Sequence, residues 1–405
     1  MRVRGIDAGG SETRVATSPK NIMKVPSVTM EISPDSSVLG HIIEDKTLDF
    51  VFKKCPASSL VGRRFVKGQA MDQYRGNTLV CDNEDEKVLQ EITYINILYG
   101  IARDFVLKDI NDESVKVGVC IPAAEYYDQK NDRIAQVKQN LAGETAVYFP
   151  LLDRTVRFDI GMQNIGVTAE GVVAAYRFKT DRDFVLRDSV VVDIGYRSTD
   201  ITLLRKYKPI GDGAASRPIG GINLEAAVQS KLERDNIFVK TDDIQSALYN
   251  IYIVRDDEMV NITDYIYKAK DTEDVDYINY AMDLMAQDSL DVSRGEVEVA
   301  VSSHYVAQGN HVVNITKYVH EAKEYFIDAV YKAVADVANA RMINVKSISN
   351  VLCVGRPFNG ELSDTYCLVN MLEQKFSNGV KMYTIPDAGV ANVTEIIKMM
   401  APDEV

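Results

Sequence analysis

Two short segments share one unusual arrangement: an apolar run, an aspartate, a glycine turn with hydroxyl side chains, and a second extended run. They are Gly5–Arg14 (GIDAGGSETR) and Val191–Thr202 (VVDIGYRSTDIT). β-Branched runs favour strands and glycine permits a tight turn, so each segment predicts a β-hairpin. A single Asp-x-Gly turn is typical of an ordinary hairpin. Because the pattern occurs twice, we interpret both hairpins as parts of one functional site.

Both hairpins have the residues of an anion-binding turn. In a glycine turn, successive backbone N–H groups converge on an anion, and nearby hydroxyls add donors. Asp7 and Asp193 repel a bare phosphate, so we predict Mg²⁺ held there through water, next to phosphate oxygens. Neither segment fits the Walker or the dinucleotide-binding pattern. The candidate phosphate-binding residues are Gly9, Gly10, Ser11 and Thr13 in the first hairpin, and Gly195, Ser198 and Thr199 in the second.

The rest of the chain reads as alternating strands and helices, in a length sufficient for two or more domains. The apolar spacing of 86–107 predicts a helix, and 115–122 predicts a buried strand that ends at a proline. Short strands and basic loops at about 27–83 predict an inserted subdomain, and about 236–344 predicts a second insertion.

The second insertion contains two similar segments, Val260–Lys270 and Val313–Lys323, which are identical at seven of eleven positions. Each begins with the sequence Val-Asn-Ile-Thr. Threonine is a favoured N-cap residue, so Thr263 and Thr316 are predicted to cap helices. Two copies are fewer than a repeat architecture needs, and we interpret the similarity as shared helix-start chemistry.

Composition excludes several classes of protein. The formal net charge of −13 disfavours direct, non-specific binding of nucleic acid. The five cysteines have no Cys-x-x-Cys spacing, which argues for reduced thiols and against structural zinc. The chain shows neither a secretory leader nor an apolar run of roughly 20 residues. These features predict a cytoplasmic protein that does not enter a membrane.

The two hairpins resemble the phosphate loops of the superfamily of actin, heat-shock chaperone and sugar-kinase ATPases. Three further segments, 168–176, 351–357 and 386–393, are similar to its first connecting helix, its adenosine loop and its second connecting helix. The resemblance implies an α/β, actin-like two-domain fold. Each domain is then a mixed β-sheet flanked by helices with an inserted subdomain, and the nucleotide lies in the interdomain cleft. The implied first domain is 1–185, with an insertion at about 27–83, plus a C-terminal helix at 390–405; the second is 186–389, with an insertion at about 236–344.

Within this superfamily the chain is most similar to plasmid-segregation actins of the ParM/StbA type, by length, by Glu170 and by the ending Ala391–Val393. That likeness implies an ATPase in which Glu170 orients the attacking water, with Asp7 and Asp193 as the other catalytic residues. It also implies Mg²⁺ and ATP, with GTP as the alternative nucleotide. The implied partners are further copies of the chain, assembled in filaments, and a DNA-binding adaptor of the ParR type that links them to a plasmid or other replicon.

Three glycines and two larger residues of the second domain are further candidates for nucleotide binding. Gly220 and Gly221 read as a turn that feeds a helix N-terminus, which favours anions, although a plain helix start fits as well. Gly355 stands at the adenosine loop, where the family has two or three consecutive glycines and this chain continues with Arg356. Arg356 or Phe358 stacks on the purine in one interpretation and packs the loop in the other.

A sugar or acyl-group kinase of the same superfamily is the alternative function. Such an enzyme needs a base that faces the substrate, and the segment after Val119 offers Glu125 and Asp128. Neither residue forms a distinctive motif. A chaperone is disfavoured because no β-rich substrate-binding region follows the second connection, and a non-catalytic scaffold is disfavoured by the acidic residues of the site.

Overall fold

The structure is a computed structural model. Several segments predicted from the sequence lie partly outside the residues it describes: 402–405 of the C-terminal helix, 386 and 387 of the second connection, and parts of both insertions. The described residues are 1–37, 43–81, 86–128, 130–206, 208–250, 252–255, 258–263, 265, 298–299, 304–308, 311–358, 367–376, 379–385 and 388–401.

The chain separates into two compact units. The first unit comprises Met1–Leu186, Gly195–Pro218 and Val390–Val405. The second comprises Arg187–Ile194 and Ile219–Gly389. The domain limits predicted from the sequence, 1–185 and 186–389, remain a proposal.

In both units, the strands contain the alternating or continuous apolar runs that are visible in the sequence. They are β1 Arg2–Ala8, β2 Glu12–Ser18, β3 Asn21–Pro26, β4 Thr29–Ile32, β5 Asp49–Lys54, β6 Arg64–Lys67, β7 Asn77–Leu79, β8 Asp112–Ile121, β9 Gly143–Phe149, β10 Arg154–Ile160, β11 Ile165–Ala169, β12 Ser189–Ile194, β13 Thr199–Arg205, β14 Lys208–Arg217, β15 Tyr252–Arg255, β16 Glu258–Asn261, β17 Glu298–Val299, β18 Tyr305–Gln308, β19 His311–Asn314, β20 Asn350–Val354 and β21 Lys381–Thr384.

The helices pack on these strands. The α-helices are α1 Glu91–Leu107, α2 Ala123–Tyr126, α3 Arg133–Leu141, α4 Val172–Ala175, α5 Arg182–Leu186, α6 Gly221–Arg234, α7 Thr241–Tyr249, α8 Thr316–Asn339, α9 Leu368–Lys375 and α10 Ala391–Met400. Short 3-10 turns occupy Lys46–Leu48, Ser58–Leu60, Gly68–Gln73, Lys87–Leu89, Pro150–Leu152, Met162–Asn164, Tyr176–Phe178, Val345–Ser347, Arg356–Phe358 and Ala388–Val390. No helix in the described part of the chain is long and apolar enough to cross a membrane.

The first unit is built on a mixed sheet with the strand order β3-β2-β1-β8-β10-β9-β5-β6-β4-β7, and β11 also pairs with β8. β1 runs antiparallel to β2 and parallel to β8. Its core contains a stack of aromatic rings, in which the centroid of Phe50 lies 4.4 Å from that of Tyr99 and 5.6 Å from that of Phe65. This packing joins the subdomain strands β5 and β6 to α1.

A row of glycines lets α10 pack closely on the first unit's sheet. Gly118 of β8 pairs with Gly5 of β1 on one side and with Gly166 of β11 on the other. A Cβ atom at Gly5 would lie 2.9 Å from Ile396 Cγ2 and 3.1 Å from the carbonyl oxygen of Val393. The three glycines therefore form a flat bed for this helix, because any side chain there meets the helix.

In the second unit, β12, β20 and β21 form parallel pairs, and Asp193 of β12 stands opposite Val354 of β20. All residues of β12 and of β20 are buried, as expected for parallel strands covered on both faces. Cys353 of β20, like Cys120 of β8, is buried, which confirms that both thiols belong to the core. Asp193 thus sits near the carboxyl end of a buried strand.

Candidate functional site

The first hairpin forms as predicted, with β1 ending at Ala8 and β2 beginning at Glu12. Asp7 pairs in register with Arg14, and the Arg14 guanidinium lies 3.3 Å from Asp7 Oδ2. The same guanidinium lies 2.8 Å from Glu12 Oε1. Asp7 is only 5% exposed, so Arg14 compensates most of the cost of burying its charge. Sequence reasoning missed Arg14, although hairpin register alone places it opposite Asp7.

The turn of this hairpin is held from behind by Ser27. The Ser27 amide donates to the carbonyl oxygen of Ser11 at 3.0 Å, and its hydroxyl donates to that of Gly9 at 2.6 Å. Because the Ser27 hydroxyl proton is used on Gly9, the Thr13 hydroxyl, 3.0 Å away, is the donor to Ser27 Oγ. A Cβ atom at Gly9 would lie 2.7 Å from the Glu12 carbonyl oxygen. The turn therefore requires glycine there and keeps a fixed shape.

The second predicted turn is equally tight. The Gly195 amide donates to the Ser198 carbonyl oxygen at 2.8 Å, and Thr199 begins β13 as a fully buried residue. Within the first unit, a Cβ atom at Gly10 would lie 3.4 Å from Cδ of Arg197. The structure thus brings the two predicted turns together around Gly10 and Arg197. Arg197 was not among the predicted site residues, and no local sequence signal marks it.

Glu170 occupies a turn that leaves β11. Its amide donates to the Ile121 carbonyl oxygen at 2.8 Å, and its carboxylate accepts a hydrogen bond from Lys87 Nζ. Both side chains of this ion pair are 12% exposed. The predicted helix over 168–176 is wrong at its start: Thr168 and Ala169 belong to β11, and α4 begins only at Val172. Gly171, at φ +68°, breaks the helix and leaves Glu170 in the turn.

Lys87 is a cation whose charge interacts with both Glu170 and Asp7. Burial acts to lower the pKa of Lys87, but the charges of Glu170, Asp7 and Cys81 raise it, and the net direction is upward. Lys87 therefore stays protonated at neutral pH. Burial raises the pKa of the Cys81 thiol. The charges of Lys87, Glu170 and Arg197 also act on this pKa. The first unit thus gathers Asp7 and Glu170 around one buried cation that sequence reasoning missed.

The segment that carries Lys87 is fixed by Glu125. Its two carboxylate oxygens accept from the amides of Lys87 and Val88, each at 2.8 Å. Burial raises the pKa of Glu125, against the lowering effect of these two bonds. Asp128 accepts from the Lys130 amide and from Asn131 Nδ2, each at 2.8 Å. Both candidate bases of the kinase alternative therefore accept hydrogen bonds from backbone amides, Glu125 from the distant segment at Lys87 and Asp128 from its own turn.

The Gly220–Gly221 segment of the second unit enters a helix, as predicted. The Gly220 amide donates to Asn223 Oδ1 at 2.8 Å, and the Asn223 amide donates back to the Gly220 carbonyl oxygen at 2.9 Å. This reciprocal pair caps α6 at its N-terminus. The remaining amides of the first helical turn favour a negative group near this end.

Gly355 follows β20 with φ +103°, and a Cβ atom there would lie 2.0 Å from the Ile194 carbonyl oxygen. Only glycine fits this close approach. The Arg356 guanidinium lies 5.2 Å from the centre of the Tyr249 ring, and Phe358 is buried at 6% exposure. These contacts within the unit support the loop-packing interpretation of both side chains.

The acidic residues fit the predicted cation. Mg²⁺ prefers oxygen ligands and keeps several waters, and Asp7 and Asp193 present carboxylates at the ends of buried strands. In the described part of the chain, no three His, Cys, Asp or Glu side chains gather as a metal-binding group. Each aspartate, within its own unit, offers oxygens of the type that Mg²⁺ takes as ligands, and such an ion keeps several waters.

No family model and no curated protein matches the chain. Solved structures do match it over its whole length. The archaeal actin homologue Ta0583 superposes with a TM-score of 0.61 at 16% identity, covering 100% of both chains. Its complex with ADP gives 0.62 at 15% identity, again covering 100% of both chains.

ParM of Bacillus thuringiensis, solved with ATP, superposes with a TM-score of 0.62 at 12% identity. The match covers 100% of this chain and 99% of that protein. At such identities the likeness concerns the fold, and the mixed sheets with flanking helices agree with it. The chain therefore has the two-domain, actin-like α/β fold that its two hairpins predicted.

Proposed function

We propose that the chain binds ATP with Mg²⁺, hydrolyses it, and assembles into actin-like filaments. The observation that carries this proposal is the arrangement of Glu170, Lys87 and Asp7 beside the Gly9–Ser11 turn, on an actin-like fold. GTP is the alternative nucleotide. The printed titles of the similar structures, an actin homologue with ADP and a ParM with ATP, support a nucleotide of this kind.

Glu170 is the residue proposed to act on the water. An ionised carboxylate accepts a proton from water as the oxygen attacks the terminal phosphorus, and the bond from that phosphorus to the leaving diphosphate oxygen breaks. The Lys87 ammonium group donates a hydrogen bond to the Glu170 carboxylate and so fixes its direction. Lys87 is therefore proposed as a positioning residue.

The two turns are proposed to bind the phosphates, through backbone amides near Gly9, Gly10 and Gly195 and through the hydroxyls of Ser11 and Ser198. Thr13 and Thr199 are buried, so we assign them to shaping the turns. Asp7 and Asp193 would hold Mg²⁺ through water, and the ion would neutralise phosphate charge. In the second unit, the proposed nucleotide contacts are Gly220, Gly221 and Gly355. For Arg356 and Phe358, the candidates for stacking on the purine, we propose that they pack the loop instead.

The cellular role is proposed from the ParM likeness. Filaments of this chain would move a plasmid or another replicon, and a DNA-binding adaptor of the ParR type would join the filament to DNA. The net charge of −13 supports an adaptor, because an acidic chain lacks the basic surface that neutralises DNA phosphates. An open filament requires two different complementary patches on each subunit.

Right-angle light scattering and phosphate release, recorded together after addition of Mg-ATP, test the proposal. We expect scattering to rise and then decay as phosphate appears. Glu170→Ala is expected to slow phosphate release by about 100-fold or more, the usual size of a lost general base, so its scattering reaches a lasting plateau. Lys87→Met is expected to slow release in the same direction, and exposed Lys20→Met is the matched control. A flat scattering trace from the wild-type chain contradicts polymerisation, whatever the rate of phosphate release.

A sugar or acyl-group kinase is the second candidate, and the structure gives it less support. Its candidate bases, Glu125 and Asp128, accept hydrogen bonds from nearby backbone amides. A kinase would transfer phosphate to an added sugar or carboxylic acid and release little free phosphate in its absence. Dependence of ATP consumption on such an acceptor would favour this candidate over the filament proposal.

A further inference from the structure

Lys67 ends β6 as a fully buried lysine. Its ammonium group donates to the carbonyl oxygens of Pro26 at 3.0 Å and Ser27 at 3.3 Å. It also donates to Thr29 Oγ1 and to Asn96 Oδ1 of α1. Three oxygens of the Pro26–Thr29 segment and one of α1 thus converge on one nitrogen, which has three protons to donate.

All of these partners are neutral, and the centre of the Tyr99 ring lies 5.3 Å from Lys67 Nζ. Burial lowers the pKa of Lys67 well below its ordinary value, because the charged form loses its hydration. A buried ionisable group of this kind costs stability compared with an apolar residue of similar volume. The position therefore needs an explanation other than simple core packing.

The segment that Lys67 holds is the one that supports the first turn. Pro26, Ser27 and Thr29 all bond to the ammonium group, and Ser27 in turn bonds to Gly9 and Ser11. The connection is short: Lys67 Nζ to the Ser27 carbonyl, then the Ser27 hydroxyl to the Gly9 carbonyl. The Thr29 hydroxyl, which accepts a hydrogen bond from Lys67, donates to the Ser27 carbonyl oxygen at 3.3 Å, so Lys67 reaches Ser27 both directly and through Thr29.

We propose that Lys67 is a positioning residue that clamps the Pro26–Thr29 segment and so fixes the shape of the Gly9–Ser11 turn. The clamp ties strands β4 and β6 of the inserted subdomain to the hairpin of β1 and β2. Its effect on nucleotide affinity rests on the proposed function, which assigns phosphate binding to that turn. Its effect on the turn itself does not.

The test uses Lys67→Met, which keeps the length of the side chain and removes its donors, with Lys20→Met as the exposed control. Amide hydrogen exchange is measured on the nucleotide-free, full-length protein, for peptides that cover 8–13 and 26–29. We expect exchange in both peptides to accelerate about tenfold, as for loss of one strong buried hydrogen bond. Peptides from α10 and from the second unit are expected to keep the wild-type rates.

Kinetics give the second measurement. We expect Lys67→Met to raise KM for Mg-ATP about tenfold and to leave kcat within about twofold, because the turn binds phosphate while Glu170 acts on water. Ser27→Ala is expected to have the same effect, and the double variant is expected to be little worse than either single one. If Lys67→Met does not fold, the same measurements are made on Thr29→Val, an isosteric change that removes one hydrogen-bond acceptor of Lys67.

The outcomes separate the two proposals. Unchanged exchange at 8–13 in Lys67→Met and Thr29→Val overturns the clamp. Uniform acceleration over the whole first unit also overturns it, since that result shows only lost stability. Faster exchange confined to 8–13 and 26–29, in a protein whose wild type does not bind ATP, supports the clamp and contradicts the proposed function.

Discussion

Asn392 connects the C-terminal helix to the turn of Glu170. Its Oδ1 accepts a hydrogen bond from the Gly171 amide at 2.9 Å, and Asn392 is buried in α10. Asn392→Ala would leave that amide buried without its acceptor, at a cost of about 1–3 kcal/mol of stability. Because the turn also holds Glu170, we expect phosphate release to slow about tenfold with little change in nucleotide affinity.

Single-turnover phosphate release and equilibrium binding of a fluorescent ADP analogue measure the two effects of Asn392→Ala separately. Asn21→Ala, at an exposed position of β3, is the matched control. Equal losses in affinity and rate would show that Asn392 supports the unit as a whole, and wild-type release would show that the Gly171 bond does not position Glu170.

At this scale the sequence identified acidic residues better than their partners. Glu170 and Asp7 stand in recognisable motifs, whereas Lys87 lies 83 residues from Glu170 and meets it only in the folded chain. The predicted threonine cap at Thr316 is wrong, because α8 begins at Thr316 itself, whereas the helix predicted after Thr263 lies largely outside the described residues. In both Val-Asn-Ile-Thr segments the asparagine is the acceptor: Asn261 Oδ1 accepts from the Thr263 amide, and Asn314 Oδ1 from the Thr316 amide, each at 3.0 Å.

The glycine row under α10 makes a prediction at the scale of elements. A Cβ atom at Gly5 meets Ile396 Cγ2, the Val393 carbonyl oxygen and, at 3.2 Å, Ile397 Cβ, so the helix itself must move. At Gly166 the new atom meets only the end of the Met400 side chain closely, with Sδ at 2.6 Å, and that end is flexible. We therefore expect Gly5→Ala to lower the free energy of unfolding by about 2 kcal/mol and Gly166→Ala to lower it by under about 1 kcal/mol.

Urea unfolding followed by far-ultraviolet circular dichroism measures both variants in the same way. Gly5 and Gly166 lie in the same row of the same sheet, so the substitution and its effect on β-propensity are matched, while Gly5 is buried and Gly166 is half-buried. Equal losses in the two variants would show that the helix adapts to a side chain at either place, and that the row does not set its position.

Elements with strong periodicity were predicted best. The helix predicted over 86–107 exists, but α1 begins at Glu91, because Gln90 is extended and Lys87–Leu89 forms a 3-10 turn. The apolar residues of the 3-10 turn and of α1 follow one helical spacing, so spacing alone does not separate the two elements. Only the Glu125 carboxylate, which accepts from the amides of Lys87 and Val88, explains why the chain breaks there. Such a tertiary bond leaves no periodic signal in the sequence.

For the whole molecule, repetition of one hairpin motif was the decisive sequence signal. The resemblance of both hairpins to the phosphate loops of the superfamily implied the actin-like α/β fold, and structural matches over the full chain agree with that fold. The assignment of chain segments to compact units was harder to foresee. The strands β13 and β14 group with the first unit, because α2 and α4 of that unit pack near Ala214 of β14 through Ala123 and Val172.

Nucleotide binding predicts a change in the stability of the whole chain that does not depend on filaments. A ligand that binds only the native state, present at a hundred times its Kd, adds about 2.7 kcal/mol to the free energy of unfolding, and the gain grows with the logarithm of its concentration. We expect ADP with Mg²⁺ to raise the midpoint of thermal unfolding in this way, at a protein concentration too low for assembly. EDTA is expected to remove most of the gain, since the aspartates at the turn repel phosphate without a cation.

Far-ultraviolet circular dichroism suits this measurement, because the chain has no tryptophan. Parallel titrations with ADP and GDP rank the two bases, and Glu170→Ala serves as the matched variant, since removal of a residue that acts on water leaves affinity for the diphosphate nearly unchanged. An unfolding midpoint that is independent of both nucleotides would contradict nucleotide binding itself, and the scattering experiment would then lose its premise. If ADP raises the unfolding midpoint equally in the wild type and in Glu170→Ala, nucleotide binding and hydrolysis depend on different residues. This is the result expected if the Gly9–Ser11 turn binds the phosphates and the Glu170–Lys87 pair acts on the water.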